Sequence, residues 1–379
     1  MRWLDGLLGK GRKATPEDGG KTVSIERGSS ARQPVDVKGM FVCSATYRDS
    51  QGLYLVDDQG SVAAELARPA DGERMGNFAV SPNSRWVAYT CHVPRRPDRD
   101  SYPIIRAVPA RGGASHDVTR WEPQYETCYQ NPVFSPDGEK MICEFALRDA
   151  GNPDLKVLKL YEWGDRLDGS SGGVSVINPN RIGNHAPQFM ADGERIVYFG
   201  NFAYEDLLEV CLYDPAIAEN EMLGAVGWRL TANANGVWRR PRAIAVQPEW
   251  EQIFFIQGHT MDVERICVFL LSDLSPGTHR KIFDTVGGEH DRIGALEMSR
   301  DGLRLAYDGD GAIYSVGADG SDCRRISPKG MKCRCPRFSA DGKRLAYVGD
   351  NRIYIAEMES GGCAPRTGGE LRVDEFLWT

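Results

Sequence analysis

No run of 18 apolar residues occurs anywhere in the 379-residue chain, so no helix able to cross a bilayer is encoded. The N-terminus is charged and offers only Leu7-Leu8 as an apolar core, far short of a secretory leader, and a cytoplasmic location is the expectation. A basic excess is also missing. The 46 Lys and Arg stand against 53 Asp and Glu, net −7, which argues against a nucleic-acid binder. No G-x-S-x-G elbow sits at the end of a strand, and no glycine-rich phosphate loop follows a strand and opens a helix. Ten cysteines are present, yet none forms the doubled short pairs of a zinc site. Cys43, Cys143, Cys211 and Cys267 are scattered through apolar stretches, as small buried side chains are, and read as reduced thiols.

What the chain has instead is repetition. Asn131-Pro132-Val133-Phe134-Ser135-Pro136-Asp137-Gly138, followed by Lys140–Phe145, reads as a strand, a tight turn and a second strand. Anchored on Phe134, the pattern returns at Val80, Phe189, Val246, Met298 and Phe338, every 40–57 residues. That period is the mark of a blade of several strands. Nine positions past each anchor stand Tyr89, Cys143, Tyr198, Phe255, Tyr307 and Tyr347, an apolar or bulky side chain each time. The copies Val80-Ser81-Pro82-Asn83-Ser84 and Val246-Gln247-Pro248-Glu249-Trp250 lack the Asp-Gly pair, so their turns are expected to differ.

Phe338-Ser339-Ala340-Asp341-Gly342-Lys343-Arg344-Leu345-Ala346-Tyr347, followed by Ile353-Tyr354, resembles the TolB-type, WD-like propeller repeat. The resemblance covers roughly residues 40–379. It implies a β-propeller, a fold used in that family for protein binding, as an accessory domain of peptidases, and occasionally as an enzyme scaffold. The repeats run to the end of the sequence and leave no α/β-hydrolase domain, a departure from those peptidases, so their activity is not expected.

The expected fold is therefore all-β: a seven-bladed β-propeller over residues 39–379, six blades being the alternative. Met40–Tyr47, Leu53–Asp57 and Val62–Leu66 have no innermost strand before them. Val373–Trp378, anchored on Phe376, supplies it from the far end of the chain and closes the ring, removing two exposed sheet edges. The fifth blade's outer strand is expected at Arg280–Phe283. Residues 1–38 form a separate piece. Trp3, Leu4, Leu7 and Leu8 share one helical face, Lys10, Arg12 and Lys13 follow, and a Gly-, Ser- and Thr-rich stretch to Ala31 reads as a linker. That face is a tether for a partner groove or, through residues 1–13, a membrane surface; or it is a frayed end, or a helix packed on the propeller's own rim.

Innermost strands line a propeller's channel, so residues four to six before each anchor ring one mouth. These positions hold Arg74, Arg240, Arg242, Arg292, Lys332, Arg334 and Arg372, with Tyr129 and His185 in the other two arms and Trp238 just before the window. Seven cations in twenty-one positions exceed the chain-wide share of 46 in 379, and such a ring attracts an anionic ligand. The competing reading pairs these cations with Glu289, Asp291 or Glu370 nearby. His185 and His290 are placed just before innermost strands, with His259 at the opposite face, so three histidines do not converge and no metal or other cofactor is expected. Cys323, Cys333, Cys335 and Cys363 lack the spacing of a thiolate site, and Asp308-Gly309-Asp310-Gly311 is a hairpin turn, too short for a calcium loop. Two functions fit. One is a non-catalytic, protein-binding scaffold within a larger complex, using the basic mouth. The other is a lyase- or hydrolase-type propeller enzyme acting on an anionic sugar or lactone with a channel-bound divalent ion.

Overall fold

A computed structural model describes residues 37–94, 101–120, 127–149, 152–162, 175–177, 185–201, 208–218, 228–229, 238–247, 252–259, 264–270 and 284–379. Seven four-stranded antiparallel sheets make up the structure. From the channel outward, blade 1 is Leu371–Trp378, Phe41–Tyr47, Ser50–Val56 and Val62–Ala67, and blade 2 is Arg74–Val80, Trp86–Pro94, Ser101–Pro109 and His116–Asp117. The innermost strands of blades 3 to 7 are Thr127–Phe134, His185–Phe189, Trp238–Val246, Ile293–Met298 and Cys333–Phe338.

Second strands are buried on both faces, and the pleat explains how. In blade 3, Met141, Cys143 and Phe145 join the core shared with blade 2, while Ile142 joins the core shared with blade 4. Each blade–blade junction has one such cluster, so the hydrophobic core is a ring of seven parts. Tyr89, Cys143, Tyr198, Phe255, Tyr307 and Tyr347 are all buried in it.

The ring closes as the sequence predicts. Phe41 pairs with Trp378 and Cys43 with Phe376, and the Phe41 and Phe376 rings meet edge to face at 5.7 Å. One detail is corrected: in register the anchor equivalent to Phe338 is Trp378, since Phe338 pairs with Leu345 and Trp378 with Phe41. Gly39 N donates to Thr379 O (2.8 Å) and Thr379 N to Met40 O (3.0 Å), fastening the two ends.

The repeat's turn is built by its serine. Ser135 Oγ donates to Asp137 Oδ1 (2.5 Å) and accepts from Lys140 N (2.9 Å), while Gly138 takes φ +76°, a conformation glycine adopts without steric cost. The same set recurs at Ser299/Asp301 and Ser339/Asp341. Contrary to the sequence expectation, the Val80 copy makes this turn too. Ser81 Oγ donates to Asn83 Oδ1 (2.7 Å), and Ser84 occupies the glycine position at φ +54°. Asparagine's amide oxygen replaces the carboxylate, and the strain falls on one serine. The Val246 copy keeps the closing Gln247 N to Gln252 O bond (2.9 Å), and residues 248–251 lie outside the described residues.

Blade 5 departs from expectation. Its outermost strand is Asp284–His290, not Arg280–Phe283, which lies outside the described residues. Gly287-Gly288, with Gly287 at φ +77°, disguises the strand as a turn. Asp310 and Gly311, at φ +52° and +75°, form the expected two-residue hairpin turn.

Candidate functional site

Innermost strands all run the same way, so the channel has two distinct mouths. The loop mouth is where these strands begin and where the second-to-third hairpins turn. The turn mouth is where they end, among the Ser-x-Asp turns.

Each of the seven innermost strands carries a bulge or register shift in mid-channel. A bulge bends and re-aims the strand, and it leaves backbone N–H groups without ladder partners. The neighbouring blade supplies acceptors from its second strand. Asn131 N (φ +55°) donates to Thr90 Oγ1 at 3.2 Å, Ala186 N (φ +48°) to Glu144 Oε1 at 3.0 Å, and Cys335 N (φ +54°) to Asp308 Oδ2 at 3.3 Å. Glu144 is 5% exposed and also accepts from Gln130 Nε2 (3.2 Å), with His185 Nδ1 at 3.5 Å. Burial opposes its charge, but the hydrogen bonds from His185, Ala186 and Asn131 outweigh it and hold the carboxyl below its usual pKa.

At the loop mouth the sequence-predicted residues separate into groups. Arg292, Lys332, Arg372 and Arg74 are exposed and have no ion-pair partner among the described residues. They stand on, or one residue before, the innermost strands of blades 6, 7, 1 and 2, an unbroken arc of four blades. Of the acids that could pair with them, Glu370 is engaged with Arg48 (3.4 Å) and Glu289 with Arg265, while Asp291 is exposed beside Arg292 and forms no ion pair among the described residues. Asp49, Asp310 and Asp350 sit on this face too, on hairpins one strand further from the axis.

Arg334 is occupied. Its Nε donates to Asp374 O (3.1 Å) and its Nη2 to Val373 O (3.1 Å), clamping blade 7 onto the strand that closes the ring. Tyr129 is 4% exposed, its ring against Phe145 (4.9 Å) and its hydroxyl taking a bond from Lys159 Nζ (3.2 Å), which places it in the core instead of on the mouth. His185 is half-buried beside Glu144. Trp238, Arg240 and Arg242 lie on the innermost strand of blade 5, and their side chains are outside what the structure describes. Trp3, Leu4, Leu7 and Leu8 likewise lie outside the described residues.

The histidines need correction. His290 ends the outermost strand of blade 5 and is buried, its Nδ1 2.9 Å from Asp310 Oδ2. His259 is register partner to Trp238, so it belongs to the loop mouth and not the opposite face. Among the described residues no three His, Cys, Asp or Glu side chains converge as metal ligands. Cys323 and Cys363 lie instead beside the Tyr307 and Tyr347 hydroxyls of their own blades.

The turn mouth holds a feature the sequence reading missed: a cavity of about 430 Å³. The anchors Val80, Met298, Phe338 and Trp378 give its apolar wall, and Glu297 and Arg300 its charges. Deeper in the channel Arg337 lies 3.2 Å from Glu297 and 3.6 Å from Glu375. Burial raises the Glu297 pKa, and the Arg337 guanidinium offsets part of that. The signal was available in part, because the anchors mark where the innermost strands end and so which residues stand at this mouth.

No family model matches the sequence, and no curated protein matches it either. The fold is similar to an oligogalacturonate lyase solved in complex with manganese, at 13% identity and TM-score 0.60 over 84% of this chain and 91% of that one. It is also similar to a structure from a study of two prolyl endopeptidases, at 14% identity and TM-score 0.58, over 89% of this chain and 51% of that one. A putative TolB from Agrobacterium tumefaciens matches at 13% identity and TM-score 0.47, over 67% and 84% of the two chains. At these identities the likeness is one of fold: the chain is a seven-bladed β-propeller.

Proposed function

We propose that this is a non-catalytic binding propeller that holds an anionic ligand, in the first instance an acidic segment of a protein partner, at its loop mouth. The supporting observation is the arc of Arg292, Lys332, Arg372 and Arg74, exposed and without ion-pair partners among the described residues. Cations without ion-pair partners around a channel of low-dielectric walls focus field outward even where the whole protein is net −7. Guanidinium forks then hold carboxylates in paired hydrogen bonds. A cytoplasmic partner within a larger assembly is the occupant this reading favours. The enzyme reading, a lyase or hydrolase acting on an anionic sugar or lactone, has the lyase likeness behind it at the level of fold.

The test uses the full chain, with poly-glutamate and oligogalacturonate as probes. Arg74→Glu, Arg292→Glu and Arg372→Glu combined should weaken binding of either probe by about 10- to 100-fold, from roughly 0.5–1 kcal/mol per exposed charge contact. The melting temperature should stay nearly unchanged. Equal affinity in wild type and variant refutes the loop-mouth site. Accumulation of unsaturated product from oligogalacturonate, with or without added Mn²⁺, replaces the binding reading by the lyase reading.

A further inference from the structure

The cavity at the turn mouth is distinct from the cationic arc and lies at the other end of the channel. We propose that its occupant is this chain's own N-terminal segment, with Trp3, Leu4, Leu7 and Leu8 seated against Met298, Phe338 and Trp378 as a plug bound in cis.

Where the chain joins the fold is the first observation. The first described residue, Val37, is buried, and its carbonyl accepts from the Thr379 hydroxyl and from Met40 N (3.1 Å). Thr379 and its neighbour Trp378 are themselves part of the cavity wall. The 36 residues before Val37 therefore attach at the cavity's rim, across the channel's length from the cationic arc.

Reach and chemistry follow from the sequence. The 29 residue steps from Leu8 to Val37 are rich in Gly, Ser and charge, and a linker of that kind has a root-mean-square span of about 30 Å. A short flexible linker gives an effective concentration on the order of 1 mM. An intrinsic dissociation constant of about 0.1 mM then fills the cavity roughly 10:1 in cis. A two-turn apolar face is too small to bind tightly in trans, where no such concentration helps it. The charges nearby are mixed: Arg300 and Glu297 line the cavity, Arg344 lies over the Trp378 ring at 5.1 Å, and the carboxylates Asp137, Asp301 and Asp341 stand exposed on the adjoining turns. Lys10, Arg12 and Lys13 follow the apolar face directly, so a seated face brings them to the side of the three turn carboxylates.

Hydrogen exchange of residues 3–8 in the full chain tests this. The substitutions are Trp3→Ser, which removes the anchor, and Ala340→Trp, which fills the cavity from an exposed turn position. Wild type should show these amides protected about tenfold beyond their intrinsic rates, with protection lost in both variants while the melting temperature holds. Unprotected amides in wild type overturn the plug, and so does protection that persists in Ala340→Trp, the outcome for a helix formed without docking. Protection that fades on dilution also overturns it, assigning the cavity to a second copy. Binding of poly-glutamate is unaffected by either variant, so this result and that of the charge reversal are independent.

Discussion

Phe376→Ala tests closure at its most exposed joint. Phe376 is fully buried, packs edge to face on Phe41, and belongs to the strand that only hydrogen bonds and packing attach to blade 1. Truncating a core phenylalanine to alanine costs about 3–5 kcal/mol. Phe254→Ala, equally buried in the core between blades 5 and 6, serves as the matched control, because those blades are joined through the chain. Whole-protein melting will not separate the two, since a chain this long need not unfold in one step. Amide exchange does. With 1.4 kcal/mol per decade, Phe376→Ala should speed exchange in Phe41–Tyr47 and Leu371–Trp378 by about two to three and a half orders of magnitude. Phe254→Ala should leave those strands almost untouched. Equal acceleration of the closing strands by both variants would show that the ring opens only as one cooperative unit. The idea that its non-covalent seam is the weak point would then be wrong.

Two further outcomes follow from the turns. Ser84→Gly should stabilise by about 0.5–1 kcal/mol, the strain of a left-handed non-glycine residue exceeding glycine's added chain entropy, as read from the denaturant midpoint. Asp137 and Asp341 are held below the usual carboxylate pKa first by the serine hydroxyl and then by a backbone N–H. A depressed folded pKa contributes stability above the unfolded value near 3.9 that is lost as pH falls through the folded value. Asp137→Asn with Asp341→Asn should therefore flatten the decline in stability below about pH 4, and an unchanged decline refutes the assignment.

Most of the architecture was legible because a repeat states its own design several times. The anchors, the buried residue nine positions later and the closing tail all follow from apolar patterning against a recurrent turn. What stayed hidden depends on contacts between repeats. Asn83 and Ser84 break the motif's letters, yet the amide oxygen and a tolerated left-handed serine keep its geometry. The Gly287-Gly288 pair concealed a strand whose partner, Glu264–Leu270, stabilises it. Glu144 and Asp308 read as strand polar residues, and nothing local shows that each receives the freed N–H of the next blade. The cationic positions were legible by register, but their division into engaged and unengaged groups was not.

That division changes what the basic mouth is for. Thr90, Glu144 and Asp308 each receive a bulge N–H from the following blade, two of them by burying a carboxylate. At the seam between blades 7 and 1 the corresponding second-strand residue is Val348, which offers no side-chain acceptor. There Val373 N donates to Asn351 O (2.8 Å), as Cys333 N does to Gly311 O at the preceding seam, and it is Arg334 that adds a side-chain contact, binding the carbonyls of Val373 and Asp374. The guanidinium is thus part of the ring's fastening. Reversing its charge would put a carboxylate against two carbonyl oxygens and loosen the seam, so any loss of ligand on such a change would report unfolding. Arg292, Lys332, Arg372 and Arg74 have no such duty among the described residues, and a cation with no structural role on an innermost strand is the one available to a ligand.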